Sequence, residues 1–180
     1  MRVEERQAVI EQLAASEARL LALLDRLSPA QWRFRETPER WSIAENVEHL
    51  VVFEGFIRGT ITKLTDGTPE PEKMALAAEK EPLVQGVWDS RGAKLTAREQ
   101  VRPTGRWEDG TELAAEFRAA RALTIKFAGE TDCDLRGHFF PHIAFGDLDC
   151  YQWLEVMAQH TLRHCMQIEE IMRDARFPVE

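Results

Sequence analysis

No stretch of the sequence approaches the roughly 18 uninterrupted apolar residues of a membrane-spanning helix. Its first residues, MRVEERQAVIEQL, are charged where a secretory leader would carry an apolar run followed by small residues. Cysteine is sparse: Cys133, Cys150 and Cys165, an odd number without CxxC spacing. That argues against a disulfide framework and for free thiols in a reducing cytoplasm. Cys165 falls in a helical pattern and reads as a small core residue. Basic charge is in deficit, with 23 Lys plus Arg against 31 Asp plus Glu and a formal net charge of −8. A nucleic-acid binder neutralises phosphates with a basic face, and docking on anionic lipid needs the same, so neither nucleic acid nor membrane is an expected partner. A small-molecule site is compatible with this balance.

Strand patterning, internal repeats and low-complexity tracts are also missing. What is there is a chain of 180 residues, 44% apolar and 30% charged. It reads as one globular domain, 1–180, large enough to bury a core unaided. Four segments carry helical periodicity. The first runs from about Glu4 to Arg26, with Val9, Leu13, Leu20, Leu23, Leu24 and Leu27 near one stripe, and Ser28-Pro29 ends it. The second starts at Ser42, where Ser42-Ile43-Ala44-Glu45 is a capping box and Trp41 could pack back on Asn46 or Val47. It continues to about Leu64, with Asp66-Gly67 as its stop, along the seam Ile43, Val47, Leu50, Ile57, Ile61 and Leu64. From Asp66 to about Asp109 periodicity weakens, apart from a short helix around Glu72–Glu79; a loop of this length is a functional cover or disordered. The third helix begins at the cap-plus-carboxylate spacing Asp109-Gly110-Thr111-Glu112, runs through Leu113, Phe117, Ala120, Leu123, Thr124 and Phe127, and stops at Gly129. An aromatic-rich connector, Cys133 to Gly146, leads to a last helix from Asp147 or Asp149 to about Asp174. The expected fold is all-α, a four-helix bundle with a long loop between helices 2 and 3. Whether that loop crosses the bundle is left open.

His160 and His164 are i and i+4 on the last helix, so both imidazoles leave one face about a turn apart and can reach one metal ion. Zinc proteases use the same spacing in HExxH, but Thr161 follows His160 here, so the general base of that mechanism is missing. Cys150, Trp153, Met157, His160, His164, Gln167 and Ile171 fall on one seam, where a buried imidazole needs partners for its nitrogens. The alternatives are a pair of core histidines bonded to carboxylates, or an exposed pair if the seam is phased differently. A third histidine, His49, shares a stripe of the second helix with Asn46, Phe53 and Phe56; a facing helix could bring it to the pair. Alone it reads as a helix-surface or boundary histidine. Three nitrogens with an open position is the catalytic zinc pattern, and imidazole also suits nickel, iron and copper. Gln167 could orient a ligand. Glu48 reads as a solvated charge. His138 and His142 could line the mouth of the site or bond only backbone and water, and Trp88, Trp107, Phe139 and Phe140 could wall a pocket or anchor packing. No residue stands out as a separate general base.

Trp41-Ser42 followed by Glu45-Asn46-x-x-His49-Leu50, and later His160-x-x-x-His164-x-x-Gln167-Ile168, resemble the DinB-like superfamily. The match extends in order along most of the chain, including a turn with Pro141, Gly146 and Asp147 before the final helix. The resemblance implies a four-helix bundle in which three histidines surround a divalent metal, one on the second helix and two on the last; His49, His160 and His164 occupy those positions. Characterised relatives include thiol S-transferases that use bacillithiol or mycothiol, and maleylpyruvate isomerases that use mycothiol. Ergothioneine-biosynthetic relatives join the bundle to a second domain that these 180 residues do not include. Frequent homodimers in the superfamily imply a homodimer by resemblance only.

Three functional readings follow. The first is a metal-dependent enzyme, a thiol S-transferase or hydrolase, acting on a small molecule. It would use a divalent transition metal (zinc, nickel or iron) and a low-molecular-weight thiol as cosubstrate in the transferase case. The second is a metal-binding stress or interaction protein with the ion as a structural clip. The third is a metal-free bundle that binds a partner. An open coordination position favours the first, and a fourth protein ligand such as His138, His142 or a carboxylate favours the second.

Overall fold

The computed structural model describes residues 1–86 and 97–179. Four long helices dominate it: α1 (Val3–Leu24), α3 (Ile43–Thr65), α6 (Gly110–Glu130) and α7 (Cys150–Met172). Short elements fill the connections: α2 (Pro29–Arg33), α4 (Met74–Ala78), α5 (Glu81–Gln85), and a hairpin of β1 (Phe139–His142) and β2 (Gly146–Asp149). The capping box at Ser42 forms as expected, with Ser42 Oγ accepting from the Glu45 N–H and the Glu45 carboxylate accepting from the Ser42 N–H. Asp109 caps α6 by accepting from the Thr111 and Glu112 N–H groups. Ser28-Pro29 does not merely end the first helix. Arg26 turns the chain with φ 58, and Ser28 then caps α2 in a box with Gln31. The short helix expected near Glu72–Glu79 is present as a 3-10 turn at Pro71–Lys73 followed by α4.

Around the bundle, α1 packs on α7 and α6, and α3 packs on α6 and α7. Directions follow from who meets whom. Arg6, near the start of α1, donates to the carbonyls of Ala128 and Thr131 at the end of α6, so α1 and α6 are antiparallel. Arg19 pairs with Glu169 late in both α1 and α7. Asn46, early in α3, meets His164, late in α7. The order is therefore up, down, down, up, and α3 and α6 are parallel neighbours. A parallel pair needs a connection that returns along the bundle, a distance of about 30 Å for helices of this length. The long second connection is that crossover. Its 3-10 turn at Glu99–Val101 lies against α3.

Two apolar clusters occupy the two ends. One joins Val9, Leu13, Ile57, Ile61, Ala128 and Leu154; the other joins Leu20, Val47, Leu50, Phe117, Cys165 and Ile168. Between them sits a buried ion pair. The guanidinium of Arg121 donates to Glu54 Oε1, Leu13 O, Ser16 Oγ and Thr161 Oγ1, and Glu54 Oε2 accepts from Thr124 Oγ1. Every N–H of the fork has an acceptor, which is what makes a charge tolerable there. Arg121 thus occupies the inward column of α6, whereas Leu123, expected on that stripe, is 53% exposed.

Candidate metal centre

His49 on α3 and His160 and His164 on α7 come together where the two helices adjoin, near the capped start of α3. His49 and His164 are buried, and His160 is half-buried. All three offer nitrogens within 4.8 Å of one another. The Nε2 atoms of His49 and His160 are 3.3 Å apart, and those of His164 and His160 are 3.1 Å apart.

Hydrogen bonds on the far side of the rings decide what those atoms carry. His49 Nδ1 lies 2.6 Å from the carbonyl oxygen of Val101. A carbonyl only accepts, so Nδ1 holds the proton and Nε2 a lone pair. His164 Nδ1 lies 2.7 Å from Asn46 Oδ1. The Asn46 amide cannot be turned round, because its Nδ2 donates to Ser42 O at 2.8 Å. His164 is therefore also an Nδ1–H tautomer with a free Nε2. His160 could donate one proton to one of these two acceptors and leave the other unserved. Three nitrogens held at about 2.0–2.1 Å from one ion with tetrahedral angles would stand about 3.3 Å apart. The two separations that involve His160, 3.1 and 3.3 Å, match, the whole set lies within 4.8 Å, and the donor set fits a divalent transition metal.

Burial lowers the pKa of His49, and burial followed by the neighbouring histidines and Arg163 lowers those of His160 and His164 well below the ordinary value. All three are neutral at pH 7, the state a metal needs. Aromatic rings close the flanks. Trp41 lies 5.0 Å from His49 and stacks 6.3 Å over His164, and Phe53 is 4.2 Å from His160. The ring of Trp41 therefore lies against His49 and His164, and that of Phe53 against His160.

Other residues singled out by sequence lie elsewhere. Gln167 makes no hydrogen bond to the triad among the described residues; Asn46 is the group that orients His164. Glu48 is not a solvated charge. It is 3% exposed and its carboxylate accepts from the backbone N–H groups of Thr104, Gly105 and Arg106. His138 is buried outside the cluster, and its carbonyl accepts from the Cys150 N–H. His142 Nδ1 accepts from the Ala144 N–H, and its ring stacks on Phe145. Phe140 stacks on Trp153, Phe139 is buried in β1, and Trp107 packs against the second apolar cluster. Trp88 lies outside the described residues. Among those residues, no further His, Cys, Asp or Glu joins the three histidines. No helix among them is long and apolar enough to cross a membrane.

Comparison with known proteins identifies the family. The family model described as DinB superfamily matches residues 12–168. A curated relative from Bacillus subtilis (strain 168), the uncharacterized protein YuaE, is 27% identical over 146 residues, which cover 81% of this chain and 85% of the relative. No solved structure matches significantly. The family model covers most of the length of this mostly helical bundle: the chain belongs to the DinB superfamily.

Proposed function

We propose that this protein is a metal-dependent enzyme acting on a small molecule, as a thiol S-transferase or a hydrolase. One observation carries the reading. Three Nε2 atoms converge, those of His49 and His164 carrying lone pairs by virtue of their Nδ1–H bonds, and no fourth protein ligand joins them among the described residues. Three protein nitrogens with a remaining position are the donor set of catalytic sites, whereas structural sites are closed by four. A bound zinc, nickel or iron ion would supply acidity to a coordinated thiol or water near neutral pH. His49, His160 and His164 would hold it. Val101 O and Asn46 keep two of the rings in the ligating tautomer, and Trp41 and Phe53 screen the rings from water. A low-molecular-weight thiol cosubstrate and a homodimer complete the proposal and are supported by the family resemblance alone; a cytoplasmic setting is supported by the three cysteines, which are free.

A structural clip is the second reading. It is favoured by the placement of the ligands on two different helices, which an ion would pin together. The deciding experiment is the metal content of untagged protein beside His160→Ala, followed by thiol-transfer and hydrolase screens of the loaded protein. Near one equivalent of transition metal, lost in the variant, with turnover in either screen, is the expected result. Metal without turnover across the screens favours the clip. No metal, and none taken up from zinc, nickel or iron, overturns both.

A further inference from the structure

We propose that Glu48 is a positioning residue for the metal centre: by clamping the backbone of Thr104–Arg106 it holds the Val101 carbonyl against His49 Nδ1 and so fixes which nitrogen His49 turns toward the ion. The assignment rests on the metal-binding reading above and deepens it.

Glu48 and His49 are consecutive on α3, and both reach the returning crossover. The Glu48 carboxylate accepts from Thr104 N at 2.7 Å, Thr104 Oγ1 at 3.0 Å, Gly105 N at 2.9 Å and Arg106 N at 3.4 Å. Gly105 has φ 76, a left-handed conformation that suits glycine and lets successive N–H groups converge on one anion. A buried carboxylate bound by several backbone donors is a strong, directional anchor. Only Arg102 and Pro103 separate that anchor from Val101, and the proline ring fixes its own φ. The other side of Val101 is the 3-10 turn closed by the bond from Arg102 N to Glu99 O. The carbonyl that sets the His49 tautomer therefore sits at the end of a short, stiff arm pinned by Glu48. His164 depends on nothing of the kind, because its partner Asn46 is on α3 itself.

That contrast gives the test. Metal-free protein is compared with Glu48→Ala and Glu48→Gln by long-range proton–nitrogen NMR of the histidine rings. Zinc affinity is measured by competition with a chromophoric chelator, and circular dichroism checks folding. In the parent, His49 is expected as the Nδ1–H form. In the variants the His49 signals move toward a mixture of tautomers while those of His164 stay put, and zinc binding weakens about 10–100-fold. A general loss of stability would not single out one ring. If Glu48→Ala does not fold, Glu48→Gln, which keeps the shape but turns an amide against the N–H groups, carries the test. A folded variant with the parent's His49 tautomer and zinc affinity overturns the assignment. Should the parent take up no zinc, the functional reading fails, and the tautomers of the metal-free chain still decide the role of Glu48.

Discussion

At the scale of single residues, the chemistry of the site is set by where two protons sit. His49 and His164 each donate from Nδ1, and each is held by an acceptor that cannot exchange roles. Asn46 is therefore worth testing directly. Asn46→Ala leaves His164 free to change tautomer and should weaken zinc binding about 10–100-fold, measured by chelator competition; parental affinity would show that the bond is incidental. The three ligands were legible in the sequence because i, i+4 spacing places two rings on one face and a stripe on another helix offers a third. Asn46 was visible as a member of that stripe and of the motif around His49, but its task was not, since it depends on a hydrogen bond across helices. Glu48 was misread for a similar reason. Its partners lie 56 to 58 residues away on the crossover, and helical periodicity holds no information about what returns to cover a face.

At the scale of elements, the long helices were legible from their caps and stripes, and so was the short helix that became α4; the other small pieces were not. The hairpin strands are four residues each, and Pro141 interrupts the first, so no alternation long enough to read is present. Helices α2 and α5 are five residues each and are held by packing more than by propensity. Where α5 packs on α7, it covers Glu155, whose Oε2 has no hydrogen-bond partner. Burial, with the charge of Glu81 adding and Arg136 opposing, pushes this carboxyl up from 4.5 to about 7. A raised carboxylate pKa means that the folded state holds its proton longer than the unfolded one, so its contribution to stability falls as pH rises from about 4.5 to 7 and is level above. Glu155→Gln lacks this titration. Relative to the parent it should gain stability across that window, by about 3 kcal/mol at most, read from denaturant melts at pH 4.5 and 8. A parent–variant difference that does not change with pH would contradict this.

At the scale of the whole molecule, periodicity showed four helices but not their directions, because an apolar stripe reads the same up or down. The up-down-down-up order is what sends the crossover back past α3 and onto the site. An ion held between α3 and α7 would stabilise the folded state over the unfolded one. At free metal of 100 times its Kd the gain is about 2.7 kcal/mol, or about 5–10 °C in Tm for a domain of this size. Chelation should therefore lower the Tm of loaded protein by that amount and leave His160→Ala unmoved; identical melts with and without chelator would count against a metal shared by the two helices. The same order of helices has a mechanical side. Because α1 and α7 run side by side in one direction, the start of α1 and the end of α7 lie at opposite ends of the bundle. A force applied between those two points loads the α1–α7 seam lengthwise, in shear. Its interlocked side chains must then yield together, whereas a pair of adjacent ends would let the helices peel apart one turn at a time.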